Sequence, residues 1–179
     1  THYLPFYPMH HLKPENVMLI RQGDDRDFVK VLDFGVARIE WADSTVATQA
    51  GSIFGTARYI SPEGAQGEPV GPPSDVYSIA TILFQCLSGR TPFDGESPVA
   101  ILIKQTSEQP PDVRSIVRAS YVPEPVAAVI RDNLAKDPAA RCPDARAFGR
   151  ALVDAARSSG LSPGDLVARQ GRLQSEFER

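Results

Sequence analysis

Residues 75–87 place the strongest constraint on how this chain can fold. Their apolar side chains lie on more than one face of a helix, and a helix that is apolar nearly all round is normally buried. Ser74 is the predicted N-cap of this helix, and Gly89 is its predicted end. The rest of the chain must therefore supply elements that surround the helix on several sides.

Three further helices are predicted in the second half of the chain. Ser97 and the proline after it open the first, Pro125 starts the second, and Asp144 caps the third. A last, loosely attached helix could begin at Ser162. The prediction is therefore a mainly helical fold.

Two short apolar segments precede these helices, at residues 17–20 and 28–32. They are rich in β-branched residues, and a polar stretch at residues 21–27 that contains Gly23 separates them. This pattern is typical of a β-hairpin. The predicted class is therefore mainly α, or α+β overall, with a small hairpin region.

A short polar motif stands at each end of the predicted hairpin. The motif K-P-E-N at residues 13–16 precedes the first strand, and D-F-G at residues 33–35 follows the second. A hairpin brings Asn16 and Asp33 to one end, and amide and carboxylate oxygens are ligands that Mg²⁺ prefers. Lys13 would add positive charge where a phosphoryl group is transferred. Either motif alone is weak evidence, and a D-F-G run is commonly an ordinary strand end.

Four motifs in a fixed order carry a resemblance to a known family. They are L-K-P-E-N, L-D-F-G-V-A-R, G-T-A-R-Y-I-S-P-E and S-D-V-Y-S. Together they resemble the eukaryotic-type serine/threonine protein kinases, in particular their bacterial branch. The resemblance implies the C-terminal lobe of a kinase at residues 12–158, between an atypical segment at 1–11 and a polar tail at 159–179. It also implies phosphorylation of protein serine or threonine, with ATP and Mg²⁺.

The resemblance assigns roles to individual residues. Asn16 and Asp33 match the two magnesium ligands of the family, and Lys13 matches the lysine of its catalytic loop. Thr56 matches a threonine at the start of the substrate-docking loop, near that lysine. Met18 matches the position under the adenine ring of ATP.

Three other matches concern architecture. Glu63 and Arg141 match a buried ion pair of the family, and Asp75 matches a helix residue that holds the catalytic loop. A buried ion pair fixes geometry more surely than it adds stability. These residues therefore indicate the fold rather than the reaction.

The chain departs from the family at the catalytic position, where His11 replaces an aspartate and His10 replaces the arginine before it. An imidazole can accept a proton, but its nitrogen would not lie where a carboxylate oxygen does, and a small misplacement can cost roughly a hundredfold in rate. The sequence also contains neither a G-x-G-x-x-G loop nor a V-A-I-K lysine, which clamp the ATP phosphates in the family. We therefore expect these 179 residues to bind Mg-ATP weakly and to be inactive by themselves.

Residues 1–11 do not resemble the helix that leads into the catalytic loop of the family. The hypothesis is that they came from elsewhere, by truncation, a frameshift or a misplaced start, and that the N-terminal lobe is absent. A pseudokinase-like module that docks a partner through its helical face, and a non-functional gene remnant, are the alternatives. Upstream DNA that encodes a Gly-rich loop would favour a broken kinase, and a clean start with a promoter would favour a module.

Composition narrows the class of partner. The net charge of −3 argues against nucleic acid, and no apolar run is long enough to span a membrane. The first ten residues lack the pattern of a signal peptide. Cys86 and Cys142 are far apart, so we expect reduced core residues in a cytoplasmic protein. The expected partner is a protein substrate or a partner kinase lobe.

Overall fold

The computed structural model describes residues 12–23, 25–32 and 55–161. Short 3₁₀ turns at Pro14–Asn16, Val113–Ser115, Val117–Ala119 and Pro138–Ala140 connect the longer elements. Predictions for residues 1–11, 33–54 and 162–179 lie outside the described residues. The longer elements are β1 (Val17–Gln22), β2 (Asp25–Val31), α1 (Pro62–Ala65), α2 (Pro72–Ser88), α3 (Pro98–Ser107), α4 (Glu124–Asn133) and α5 (Ala145–Ser158).

Helix α2 is the centre of the fold, which confirms the main sequence prediction. Val76, Tyr77, Ala80 and Phe84 are all fully buried. Residues from α4 and α5 pack against them and complete one core. None of the helices in the described ranges is long and apolar enough to cross a membrane. The core members from the surrounding elements are Val113, Ala119, Val122, Ala127, Ile130, Leu134 and Phe148.

The predicted start of α2 was wrong by three residues. The helix begins at Pro72, and Gly71 rather than Ser74 is its N-cap. Proline suits the first helical turn because it has no N–H there to satisfy and its φ is already helical. Ser74 still serves the helix start, since its Oγ accepts a hydrogen bond of 3.1 Å from the Gly71 N–H. The predicted end is confirmed, because Gly89 terminates the helix with φ +79°.

The other predicted caps are confirmed. Ser97 Oγ accepts from the Ala100 N–H at 3.2 Å, and Asp144 Oδ1 accepts from the Ala147 N–H at 2.7 Å. Helix α4 begins at Glu124, one residue before the predicted start. Local capping chemistry therefore located these helices to within one residue.

The hairpin is confirmed, with longer strands and a tighter turn than predicted. Strands β1 and β2 are antiparallel, and Val17 pairs with Val31 and Leu19 with Val29. Gly23 provides the turn with φ +62°. The strands continue into polar residues because the outer hairpin faces solvent, as the 65% exposure of Leu19 shows. Apolar patterning therefore missed the polar ends of both strands, because the backbone hydrogen bonds of a ladder do not depend on side-chain polarity.

Two glycines on helices give a matched pair of stability tests. Gly89 has a left-handed φ of +79°, and an added Cβ would lie 3.1 Å from Arg118 Nη1. Gly149 lies inside α5 with open space around the position of a Cβ. We expect Gly89→Ala to cost about 1–2 kcal/mol of the free energy of unfolding. Gly149→Ala should add about 0.5–1 kcal/mol. Urea unfolding of both variants checks this, and equal effects would contradict it.

Candidate catalytic and substrate-docking site

The K-P-E-N motif forms a compact turn directly before β1. Its last three residues make the 3₁₀ turn Pro14–Asn16, and the Asn16 N–H donates to the Lys13 carbonyl at 2.9 Å. Leu12, just before the motif, is buried. The turn is therefore attached to the body of the domain by the residue that precedes it.

The end of the hairpin returns to this turn, as predicted. The Leu32 N–H donates to the Asn16 carbonyl at 2.7 Å, so the residue immediately before Asp33 is bonded to Asn16. Asp33 and His11 themselves lie outside the described residues, and their roles stay predictions. Asn16 offers a neutral amide oxygen, which is the kind of donor that Mg²⁺ accepts beside a carboxylate.

The surface beneath the predicted adenine position is open in the described part of the chain. Met18 lies on β1 and its side chain is 45% exposed. Cys86 on α2 is exposed, so the prediction that both cysteines are core residues was wrong for Cys86. Cys142 is half-buried against the core. The error arose because the apolar pattern of α2 indicates a helix buried all round, whereas the helix is exposed at Cys86.

The predicted docking loop, residues 55–61, is hydrogen-bonded to helix α2. Tyr59 is buried, and its hydroxyl donates to Gln85 Oε1 at 2.6 Å. Ser78 Oγ donates to the Tyr59 carbonyl at 2.8 Å. Thr56 is half-buried at the start of the loop, and its carbonyl accepts from the Tyr59 N–H at 3.1 Å. The loop therefore has a defined shape on the helical core, while the expected approach of Thr56 to Lys13 stays a prediction.

The charge of Glu15 in the K-P-E-N turn acts on Tyr59 of the predicted docking loop. Burial raises the pKa of the Tyr59 hydroxyl, and the Glu15 carboxylate raises that pKa further. The hydrogen bond from Tyr59 to Gln85 acts in the opposite direction without reversing the shift. Tyr59 therefore remains a proton donor, and Glu15 of the K-P-E-N motif lies close enough to influence it.

A buried ion pair closes the docking segment, as predicted. Arg141 Nη1 donates to Glu63 Oε1 and Arg141 Nη2 donates to Glu63 Oε2, both at 2.8 Å. The other three guanidinium N–H groups donate to the carbonyls of Pro73, Ala135 and Lys136. All five donors of Arg141 are therefore used, and both side chains are almost completely buried.

Hydrogen bonds decide the charge state of Glu63. Burial alone would raise the pKa of its carboxyl, but the hydrogen bonds from Arg141 and from Ser74 outweigh burial. Ser74 Oγ donates to Glu63 Oε1 at 2.5 Å. The pKa of Glu63 is consequently lowered, and the carboxylate is ionised at neutral pH.

Lys136 holds the end of helix α3. Its ammonium lies 4.0 Å from the centre of the Phe93 ring and donates to the Gln105 carbonyl at 2.8 Å. Burial, assisted by the nearby charge of Arg141, lowers the pKa of Lys136 to about 8. Its charged form is therefore kept by the ring and the helix carbonyls against the effect of burial.

Sequence reasoning missed the amides that hold the docking loop, Gln85 and Gln105. An amide inside a helix has no sequence signature of its own, because glutamine is equally common on exposed helix faces. The apolar periodicity of α2 and α3 was the signal that could have identified them. A polar residue at a position predicted to be buried needs a hydrogen-bond partner.

Comparison with known proteins identifies several similar chains. A family model described as a protein kinase domain matches residues 9–150. The serine/threonine-protein kinase pkn3 of Myxococcus xanthus is 41% identical over 76% of this chain and 25% of its own length. The serine/threonine-protein kinase PknB of Mycobacterium leprae is 36% identical over 93% of this chain and 30% of its own length. The chain thus spans less than a third of each of these relatives.

Proposed function

This chain belongs to the protein kinase family, and on that premise we propose that it forms the magnesium-side and substrate-docking part of a bacterial serine/threonine kinase. The proposed reaction transfers the γ-phosphoryl group of ATP to a serine or threonine of a protein. The observation that carries the proposal is the hydrogen bond of 2.7 Å from the Leu32 N–H to the Asn16 carbonyl, which places the K-P-E-N turn beside the end of the hairpin that leads to Asp33.

The proposed roles follow the chemistry of each side chain. Mg-ATP would supply the phosphoryl group, and Asn16 with Asp33 would hold the metal through oxygen atoms. The ammonium of Lys13 would stabilise the negative charge that develops during transfer. Thr56 would help to orient the substrate hydroxyl beside Lys13, and Met18 would contact the adenine ring.

The docking loop supports the substrate side of this proposal. Its bonds to Ser78 and Gln85 come from a helix at the centre of the core. A loop fixed in this way can receive a peptide without first ordering itself, which lowers the cost of placing the substrate hydroxyl. We therefore infer that peptide docking does not depend on bound nucleotide.

A fused protein tests this function. An ATP-binding lobe of the family, with its Gly-rich loop and V-A-I-K lysine, is joined ahead of residue 10 of the chain, and His11 is replaced by aspartate (His11→Asp). We expect phosphate from labelled ATP on serine and threonine peptides, and none from the 179-residue chain alone. Lys13→Ala should slow transfer by about 100-fold, because one stabiliser of transition-state charge is lost.

Lys30→Ala is the matched control, since Lys30 is an exposed lysine on β2. It should leave the rate unchanged. Phosphate on tyrosine alone, or an equal rate for Lys13→Ala and Lys30→Ala, would refute the proposed function.

A second candidate is a protein-binding module that transfers no phosphate. His11 at the catalytic position favours it, while the fixed docking loop would still be available to a partner protein. The fused protein with its native His11 separates the two candidates. Peptide binding without transfer would indicate the module.

A further inference from the structure

Helix α3 buries a polar side chain and exposes two apolar ones. The side chain of Gln105 is buried with only 1% exposure, whereas Val99 and Ile103 are 64% and 59% exposed. An amide buried without partners costs free energy, so a buried glutamine needs its hydrogen bonds satisfied. The bonds of Gln105 therefore show what the inner face of α3 is built to hold.

Both ends of the Gln105 amide have partners. The Nε2 atom donates to the Arg58 carbonyl at 2.7 Å and, more weakly, to the Ala57 carbonyl at 3.4 Å. The Oε1 atom accepts from the Tyr77 hydroxyl of α2. Because carbonyl oxygens require a donor, these partners determine the orientation of the amide. Gln105 thus links the central helix to the backbone of the docking loop.

The backbone of Gln105 is itself held in place. Its carbonyl accepts from the Lys136 ammonium at 2.8 Å, and this ammonium also lies over the Phe93 ring. Tyr77 is fully buried and lies against the Arg141 guanidinium, 4.9 Å from its ring centre. Gln105 is therefore attached to rigid neighbours at its backbone and at its Oε1 atom, and the loop is the part that it restrains.

We propose that Gln105 is a positioning residue for the substrate-docking loop: its amide N–H groups fix the peptide planes that follow Ala57 and Arg58. This assignment rests on the proposed function for the meaning of the loop, but not for its geometry. Thr56 lies directly before the two restrained carbonyls and Tyr59 directly after them. Loss of the donor should loosen residues 56–59 and leave distant helices unchanged.

Amide hydrogen exchange of the chain, followed by NMR, tests the restraint. The probe is the Tyr59 N–H, which donates to the Thr56 carbonyl, and the reference is the Phe148 N–H, which donates to the Asp144 carbonyl in α5. Gln105→Met removes the donor at similar volume and should lower the protection of Tyr59 by about tenfold more than that of Phe148. A merely structural defect would lower both equally, and that result would overturn the proposal.

Gln105→Glu adds a signature that depends on pH. A protonated glutamic acid can donate to the Arg58 carbonyl and accept from Tyr77, whereas a carboxylate has no donor for the loop. The protection of Tyr59 relative to wild type should therefore be near normal at pH 5.5 and fall about tenfold as the introduced group ionises. Wild type measured over the same range corrects for Lys136, Arg58 and Arg141, which are the charged groups beside Gln105 and its partner Tyr77. A ratio independent of pH would overturn the proposal.

Two further measurements keep the result decisive. If Gln105→Met does not fold, Tyr77→Phe removes only the bond that orients the amide, and it should still raise exchange at Tyr59 more than at Phe148. In the fused kinase, Gln105→Met should raise KM for the peptide more than it lowers kcat. If Gln105→Met changes exchange in the loop but the fused protein transfers no phosphate, the proposed function is refuted and the positioning role stands. If the fused protein transfers phosphate but Gln105→Met does not change exchange in the loop, the positioning role alone is refuted.

Discussion

Replacing Arg141 by alanine should remove about 3–5 kcal/mol from the free energy of unfolding. The substitution leaves the Glu63 carboxylate buried without its charge partner, and it orphans three backbone carbonyls that Arg141 now satisfies. For a domain of ordinary stability, about 5–15 kcal/mol in total, this loss is a large fraction. The melting temperature should fall by about 6–20 °C.

Arg157→Ala is the control for this measurement. Arg157 forms a long contact of 3.9 Å with Asp154, and both side chains are more than two-thirds exposed. An exposed pair of this kind contributes little, so the control should change stability by less than about 0.5 kcal/mol. Equal melting temperatures for wild type and Arg141→Ala would mean that the buried pair does not support the fold.

The stability that the Glu63 carboxylate contributes depends on pH. Its pKa in the folded protein is below the ordinary value of 4.5, so the folded state favours the ionised form. The stability contributed by this carboxylate is complete above about pH 4.5 and is lost as pH falls through the lowered folded pKa. Acid unfolding should therefore be steeper for wild type than for Glu63→Gln, which has no such proton to take up.

The sequence predicted this ion pair but not its surroundings. Glu63 and Arg141 are 78 residues apart, and only the kinase-like motifs around them indicated that they meet. The carbonyls of Pro73, Ala135 and Lys136 carry no side-chain signal, because every residue has the same backbone acceptor. A motif can therefore name two partners in a network whose remaining members depend on how the chain turns.

Helix α3 shows a second limit of prediction from sequence. The capping pattern located its start at Ser97 and Pro98, yet its apolar residues did not indicate which face is buried. Val99 and Ile103 face solvent, while Gln105 points inward to the docking loop. Local rules identify where a helix begins, whereas the face that packs is decided by what lies beside it. Beside α3 lies the backbone of the predicted docking loop, and its Arg58 carbonyl accepts a hydrogen bond from Gln105.

The catalytic position offers the largest expected change in activity. In the fused kinase described above, the protein with His11→Asp should transfer phosphate about 100-fold or more faster than the protein with native His11. A carboxylate oxygen can accept the proton of the substrate hydroxyl and orient it, and a larger imidazole carries its acceptor nitrogen at a different place. Because the proposed function assigns peptide docking to residues 55–61, the gain should be in kcat, with KM for the peptide nearly unchanged.

His10→Asp is the matched control, since it places the same carboxylate one residue earlier. It should give no gain, because the imidazole stays at the proposed catalytic position and the carboxylate is one residue away from it. Initial rates at saturating Mg-ATP, measured over a range of peptide concentrations, separate kcat from KM. Equal kcat for the native His11 and His11→Asp proteins would mean that histidine suffices at this position. His11 would then no longer favour the second candidate, a protein-binding module that transfers no phosphate.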